Sequence, residues 1–241
     1  RVIVLELKNG IWTQMGNEMY GTSDSINAFG RSISLNAEGN VLAIGDQNND
    51  GGFSKGGAIH IYEYNNATKT WALKGNKIEP ANANNRYWGW AVDLNANGNT
   101  VLVTTRQRSS FRGLMRVFEF DGANWNQKGN DKPSGTPPAN KYYGQSGSIN
   151  AEGNLITVGH AKTPNNSRGK MGAYIYDESS DVWTWHITGN VTQEGANQSF
   201  SSWSLAINDS GSTIIVGEPN NETQNRVGNI DVWKLVQDGS N

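Results

Sequence analysis

One twelve-residue stretch occurs four times in this chain, and that repetition limits the folds that the chain can adopt. The first copy reads SLNAEGNVLAIG, and the four copies occupy residues 34–45, 93–104, 148–159 and 206–217. The asparagine at the third position recurs after 59, 55 and 58 residues. So regular a period predicts a repeat architecture, in which each unit is one supersecondary structure packed against its neighbours.

Each unit contains four short runs rich in Val, Ile, Tyr, Phe and Trp, the residues favoured in strands. In the first full unit the runs are 29–35, 40–45, 57–64 and 70–76. The link between the first two runs has Gly39 where a tight hairpin needs a positive φ, and Gly98, Gly153 and Gly211 occupy the same place in the other units. Four antiparallel strands per unit, repeated radially, predict an all-β fold, a β-propeller of four-stranded blades. A parallel β-helix is the alternative.

The units predict one domain over residues 1–241, with about four to five repeats of 55–59 residues. The approximate units are 1–28 (partial), 29–87, 88–142, 143–200 and 201–241 (partial). Because the first unit starts with its third strand and the last stops before its fourth, two forms of closure are open. The N-terminal strands pair with the last unit of the same chain, or another chain or a missing segment completes a larger propeller.

The unit FGRSISLNAEGNVLAIGD…GGAIHIYEYNNATKTWALKGN resembles the FG-GAP repeat of integrin-alpha-type β-propellers, especially the secreted multi-copy type. Phe29-Gly30 matches the FG element, and Ile44-Gly45-Asp46 lies where GAP is usual. The FG element is lost at Ser201-Ser202, and Thr104-Thr105 departs from GAP. The resemblance implies the propeller fold, while propellers of this kind serve adhesion, lectin and scaffold roles.

The same resemblance raises the question of calcium, because integrin-type units carry an Asp-rich loop between their first two strands. Here that loop is reduced to Asn-x-x-Gly with one carboxylate at most, too few oxygen ligands for calcium. We therefore expect no cofactor. The stretch DQNNDGG leaves Asp46 and Asp50 as a weak candidate for a single calcium site, with a polar solvated loop as the favoured interpretation.

Catalytic signatures are absent from the sequence. The three histidines, His60, His160 and His186, share no metal-ligand spacing, and there is no cysteine. No nucleophile elbow, P-loop or dinucleotide fingerprint occurs. Asp93 is the one acid on a predicted innermost strand and has no paired carboxylate in the other units, as a glycosidase would need. The chain is therefore predicted not to be an enzyme.

Aromatic residues recur in the loops that enter each first strand, which a propeller gathers on one face. The candidate ligand-binding residues are Trp90, Trp203, Tyr87, Tyr142, Arg31 and Gln145. Trp90 and Trp203 align with the polar Arg31 and Gln145, which suggests an accessible position. Aromatic platforms of this kind suit sugar stacking or a protein contact. Phe29, Trp88 and Tyr143, the aromatic residues of the FG element, are expected to pack between blades.

Charge and composition limit the partners. The net charge is −2 and the pI about 6.0, which argues against nucleic acid, and no apolar run is long enough for membrane insertion. Candidate glycosylation sequons begin at Asn66, Asn165, Asn190, Asn197, Asn208 and Asn221. A chain this rich in asparagine contains such sequons by chance. They fit an extracellular or cell-surface glycoprotein.

These observations favour a non-enzymatic, extracellular binding or adhesion propeller that presents its aromatic loop face to a glycan or protein ligand. The alternative is a structural building block of a surface assembly or filament, held by contacts between propellers. Self-association or completion by another chain follows from the open ends. A propeller hydrolase or lyase is the third hypothesis.

Overall fold

The computed structural model describes residues 1–21, 28–49, 56–80, 85–108, 112–133, 141–162, 170–189, 204–218 and 229–234. These residues contain seventeen strands and no helix. The strands are β1 (Leu5–Lys8), β2 (Ile11–Gln14), β3 (Phe29–Leu35), β4 (Val41–Asp46), β5 (Ala58–Asn65), β6 (Thr70–Leu73), β7 (Asn85–Leu94), β8 (Thr100–Arg108), β9 (Arg112–Phe120), β10 (Trp125–Pro133), β11 (Lys141–Ile149), β12 (Leu155–Lys162), β13 (Lys170–Asp177), β14 (Val182–Gly189), β15 (Ser204–Ile207), β16 (Thr213–Glu218) and β17 (Asn229–Lys234).

The strands form antiparallel sheets in chain order, which confirms the predicted propeller of four-stranded blades. The first blade is β3–β6, the second β7–β10 and the third β11–β14. Among the described residues, one backbone pair, Arg112 on β9 with Lys141 on β11, links the second and third blades. An N-terminal hairpin (β1–β2) precedes the blades and a C-terminal sheet (β15–β17) follows them. We call the side of each blade that packs on the next blade its leading face, and the opposite side its trailing face.

The repeated NAEGN stretch is a hairpin turn held by its own first asparagine. The Asn36 side-chain oxygen accepts hydrogen bonds from the amides of Asn40 and Val41, at 3.0 and 2.8 Å, while Gly39 has a φ of 69°. The turns also bond to one another across the blades. The amide of Ala37 donates to the Ala96 carbonyl, that of Ala96 to Ala151, and that of Ala151 to Asp209, each at 3.1 Å. The repeat therefore makes both a hairpin and a ladder of linked turns.

A tryptophan on each outer strand joins its blade to the preceding unit. The indole N–H groups of Trp71, Trp125 and Trp183 donate to the carbonyls of Met15, Lys74 and Lys128, at 2.8, 2.7 and 2.9 Å. All three rings are buried. The backbone amide of each tryptophan donates to an asparagine side chain two residues beyond that carbonyl. The asparagine of the GN pair that ends each unit thus binds the backbone of the outer-strand tryptophan in the following unit.

The apolar core consists of layers between successive blades. Between the first and second blades, Ala43, Ile59 and Ile61 pack with Val92 and Leu94. Further layers lie between the second and third blades, between the third blade and the C-terminal sheet, and between the N-terminal hairpin and the first blade. The FG aromatics Trp88 and Tyr143 are fully buried in these layers, as expected, and Phe29 is half-buried.

Among the described residues, the N-terminal hairpin and the C-terminal sheet do not pair with each other. Within the described residues, β1 pairs only with β2, and the C-terminal sheet is β15–β16–β17. Closure inside one chain was one of the two forms expected from the sequence. In the structure the N-terminal strands and the last unit lie in separate sheets.

Candidate functional site

The innermost strand of each blade contains a bulge at the FG element. Gly30, Gly89 and Gly144 have φ values of 85°, 79° and 79°. At each of them the register against the second strand shifts, for example between Phe29 and Ser32. Bulges re-aim the side chain that follows and are frequent beside binding sites. The residues that follow these glycines are the predicted ligand-binding positions Arg31, Trp90 and Gln145.

Two of those predicted residues meet in the structure. The guanidinium carbon of Arg31 lies 4.1 Å from the centre of the Trp90 ring, a cation–π stack between neighbouring blades. Arg31 is exposed and Trp90 is half-buried. Tyr87 is half-buried and has a φ of 61°, a strained conformation for a residue other than glycine. Gln145 occupies the same place in the third blade and is half-buried.

Several predicted residues fall outside this description. Trp203, Asp50 and the sequons at Asn165, Asn190, Asn197 and Asn221 lie outside the described residues, as does the side chain of Tyr142. Asn66 and Asn208 are exposed. The Asn208 side chain accepts a hydrogen bond from the Thr213 amide within its turn. Ligand contact and glycosylation therefore remain predictions.

A buried polar group beside the first bulge was missed by the sequence analysis. Asp46, expected in a solvated loop, is fully buried at the end of β4, and Asn49 donates to its Oδ2 at 3.1 Å. His60 on β5 is also buried. Because Ile44 pairs with His60 and alternate residues of a strand share a face, Asp46 and His60 are diagonal neighbours on the trailing face. Only the cross-strand register reveals this pair, since fourteen positions separate the two residues.

Both side chains have unused hydrogen-bonding capacity. Within the described residues, Oδ1 of Asp46 and Nε2 of His60 are buried and lack a hydrogen-bond partner. Burial lowers the pKa of His60, while the Asp46 carboxylate opposes that shift. The imidazole is therefore neutral at neutral pH. A buried neutral imidazole beside a carboxylate is an arrangement that can accept a proton.

The lowered pKa of His60 has a consequence for stability. We expect wild-type protein to lose stability relative to His60→Gln as the pH falls below about 6.5, where the unfolded histidine gains a proton that the folded one resists. Above that pH the difference between the two proteins should be constant. Urea unfolding of both proteins from pH 7.5 to 5 measures it. A difference that does not change with pH would contradict the buried, neutral imidazole.

Asp93 lies on the innermost strand β7 and bridges three blades. Its carboxylate accepts hydrogen bonds from the hydroxyls of Ser34 and Ser148, at 2.9 and 2.7 Å, and from the amide of Ile149 at 2.9 Å. Desolvation raises the pKa of Asp93, although these donors favour the charged form. The two hydroxyls and the Ile149 amide belong to the blades on either side of it. Asp93 thus links the innermost strands of the three blades through hydrogen bonds.

The described residues show neither a cluster of metal ligands nor a membrane-spanning helix. No group of three or more His, Cys, Asp or Glu side chains is arranged to hold a metal ion within these residues. In the same part of the chain, no helix has the length and apolar character needed to cross a bilayer.

The fold and the site together define a β-propeller of four-stranded blades with bulged inner strands. No family model matches the chain, and no curated protein matches it. Among solved structures, a Bacteroides fragilis protein assigned as a 6-phosphogluconolactonase has a similar fold, with 13% sequence identity and a TM-score of 0.58. The alignment covers 98% of this chain and 60% of the other.

Two further solved structures have a similar fold and similar names. A Bacteroides uniformis protein, also assigned as a 6-phosphogluconolactonase, has 10% identity and a TM-score of 0.54, over 97% of this chain and 65% of its own. The periplasmic gluconolactonase of Pseudomonas aeruginosa has 14% identity and a TM-score of 0.50, over 96% and 62%. At such identities the likeness shows the fold alone. The chain spans roughly three-fifths of the length of these proteins.

This comparison overturns the adhesion hypothesis. Three of the solved structures that share the fold bear the names of lactone hydrolases, so the prediction of a non-enzymatic binding or adhesion module is wrong. The same names count against the expectation that the chain is not an enzyme. The propeller is confirmed, while the finer assignment to the FG-GAP type is not, because no family model matches.

Proposed function

We propose that this chain is part of a β-propeller hydrolase that opens a sugar lactone. The observation that carries the proposal is the alignment of 98% of the chain with a protein assigned as a 6-phosphogluconolactonase. The proposal includes an FG-GAP type of repeat, which the bulge glycines support. It also includes an extracellular or envelope location, because one of the similar gluconolactonases is described as periplasmic.

Arg31 and Trp90 form the binding part of the proposed site. A half-buried indole ring offers an apolar face to the C–H groups of a sugar ring. The exposed Arg31 guanidinium, stacked 4.1 Å from that ring, can pair with a phosphate or with the lactone carbonyl oxygen. The pair thus suits a sugar lactone that carries an anionic group.

His60 and Asp46 form the proton-transfer part. In the reaction a water molecule attacks the lactone carbonyl carbon, the bond from that carbon to the ring oxygen breaks, and the ring oxygen takes up a proton to give the open hydroxy acid. Neutral His60 accepts the proton of the water and returns it to the leaving oxygen. Because Nε2 is buried, the proposal requires one water molecule to carry the proton between His60 and the substrate. The Asp46 carboxylate stabilises the imidazolium that forms.

An assay with D-glucono-1,5-lactone and its 6-phosphate tests the proposal. We expect wild-type protein to exceed spontaneous hydrolysis and His60→Gln to be slower by about 100-fold or more in kcat. Arg31→Ala should raise KM for the phosphorylated lactone more than for the plain lactone. Arg1→Ala, which removes an exposed guanidinium paired with Glu18, is the control and should match the wild type. Burial lowers the pKa of His60, so the imidazole should stay neutral as the pH falls through about 6.5, the ordinary histidine pKa. The hydrolysis rate of the wild type should therefore not yet fall at that pH.

Two outcomes would contradict parts of this proposal. Folded wild-type protein that leaves both lactones at their spontaneous rates would exclude the lactonase function. Hydrolysis that is unchanged in His60→Gln would keep the function and remove His60 from it.

A further inference from the structure

Three residues follow the bulge glycines of the inner strands, and one of them has no role in the proposed function. Arg31 and Trp90 form the binding part of the proposed site, whereas Gln145 is unassigned. Trp90 and Gln145 lie on β7 and β11, each of which packs between the inner strands of two neighbouring sheets. The surroundings of these two residues therefore do not depend on where the chain begins or ends.

The bulges of the second and third blades are held in the same way. The Ser32 hydroxyl of the first blade donates a hydrogen bond to the carbonyl of Gly89, at 2.7 Å. The Thr104 hydroxyl of the second blade donates one to the carbonyl of Gly144, at 2.8 Å. A Cβ on either glycine would lie no farther than 3.2 Å from the residue that ends the repeat in the preceding blade, Gly45 or Thr104. Each bulge is thus fixed against the same point of the blade before it.

Trp90 and Gln145 therefore occupy matching positions on successive inner strands. Trp90 shares a face of β7 with Val92, which packs in the layer between the first and second blades. Gln145 shares a face of β11 with Ile149, which packs in the layer between the second and third blades. Gln145 lies one blade beyond Trp90, as Trp90 lies one blade beyond Arg31. Because β7 and β11 pack on each other, we expect a ligand on the Trp90 ring to come within reach of Gln145.

The side chain of Gln145 has a polar group that the protein itself does not use. Gln145 is half-buried, and within the described part of the chain no hydrogen bond engages its amide. A primary amide has an oxygen that accepts hydrogen bonds and a nitrogen that donates them. It can therefore bind two adjacent hydroxyl groups of one ligand, one through each atom. A ligand without hydroxyl groups would bury the amide without a partner, at a cost in affinity.

We propose that Gln145 determines the specificity of the proposed site by binding two adjacent ring hydroxyls of a polyhydroxylated lactone. This role rests on the proposed function and narrows its substrate class to sugar lactones with a free vicinal diol, as opposed to lactones with a plain hydrocarbon ring. Trp90 contacts the face of the sugar ring, Arg31 its anionic group and Gln145 its hydroxyls. Gln145 takes no part in the proton transfer assigned to His60.

Hydrolysis of two lactones by matched variants tests the role of Gln145. D-Glucono-1,5-lactone carries ring hydroxyls, whereas δ-valerolactone has the same lactone ring without them. We expect Gln145→Leu to lower kcat/KM for D-glucono-1,5-lactone about tenfold, through the loss of one or two neutral hydrogen bonds, and to leave kcat/KM for δ-valerolactone unchanged. Gln145→Asn, which retains the amide on a shorter side chain, should recover part of the loss. Gln127→Leu, on the outer strand β10, is the control and should match the wild type.

Calorimetric binding of D-glucono-1,5-lactam is a second readout that does not require hydrolysis. This lactam keeps the ring hydroxyls and has an amide in place of the ester, and we expect wild-type protein to bind it about tenfold more tightly than Gln145→Leu does. The lactam without hydroxyls, δ-valerolactam, should not distinguish the two proteins. Wild type and Gln145→Leu should unfold at the same urea concentration, because the amide has no partner among the described residues.

The outcomes separate the role of Gln145 from the lactonase function. Hydrolysis by the wild type, with an unchanged ratio of the two kcat/KM values in Gln145→Leu, would overturn that role and leave the function in place. Lactam binding that depends on Gln145, without hydrolysis by the wild type, would support the hydroxyl contact and exclude the lactonase. Wild-type protein that neither hydrolyses the lactones nor binds D-glucono-1,5-lactam would overturn both.

Discussion

Gly45→Ala is expected to lower the free energy of unfolding by about 3 kcal/mol, the upper part of the range for overpacking a tight core. A methyl group on Gly45 would lie closer than 3.0 Å to the carbonyl oxygen of Gly89 in the next blade and to the Ser32 hydroxyl. The hydroxyl can rotate away, but the Gly89 backbone is held by the bulge and by the core layer around Trp88. Urea unfolding of wild type and variant measures the difference.

Gly39→Ala is the matched control, because Gly39 has a φ of 69° but open space around it. Gly39→Ala should lower the free energy of unfolding by about 1 kcal/mol, because the alanine must adopt a left-handed conformation but meets no steric clash. If Gly45→Ala were no more destabilising than Gly39→Ala, the two blades would be able to move apart, and the close approach of Gly45 to Gly89 would not be rigid.

Asp93→Ala should cost about 2–3 kcal/mol at pH 7, because the amide of Ile149 loses its acceptor inside the inner ring. Asp93→Asn should cost less, since one side-chain oxygen remains. Desolvation raises the pKa of Asp93, so the protonated form is favoured in the folded state. Its contribution to stability is therefore present below the unfolded pKa and is lost as the pH rises through the folded one.

The direction of the pH dependence distinguishes Asp93 from a carboxylate whose pKa is lowered on folding. Wild type should gain stability relative to Asp93→Asn as the pH falls from 7 towards 4. Asp121→Asn is a control of the opposite sign, because the amides of Asn124 and Ala123 lower the pKa of Asp121. Relative to that variant, wild type should lose stability on acidification. A gap between wild type and Asp93→Asn that is independent of pH would contradict the desolvated carboxylate.

Much of the blade could be predicted from the sequence because its determinants are local. Asn36 and Gly39 form a turn through atoms no more than five residues apart. The glycines of the hairpin turns, the glycines of the FG elements and the tryptophans of the outer strands recur with the same period, so each supports the others. The aromatic FG positions were also predicted correctly, since Trp88 and Tyr143 are buried between blades.

The candidate site was harder to predict from the sequence, because its contacts join residues of different strands and blades. Arg31 and Trp90 were each proposed as ligand contacts, but their stacking joins residues 59 positions apart and depends on two bulges. Asp46 was assigned to a solvated loop, and only the pairing of β4 with β5 buries it on the same face as His60. Asp93 had no paired carboxylate in the sequence, and its partners proved to be hydroxyls and an amide of the adjacent blades.

The sequence by itself determined the unit of this protein: the period, the four strands, the turn and the residues that join one unit to the next. These features depend on backbone conformation and on patterns within a single unit, which the order of residues specifies directly. Only the tertiary structure decided which polar side chains are buried and which side chains meet between blades. Those properties depend on desolvation and packing between residues about one repeat apart, whose identities differ from unit to unit.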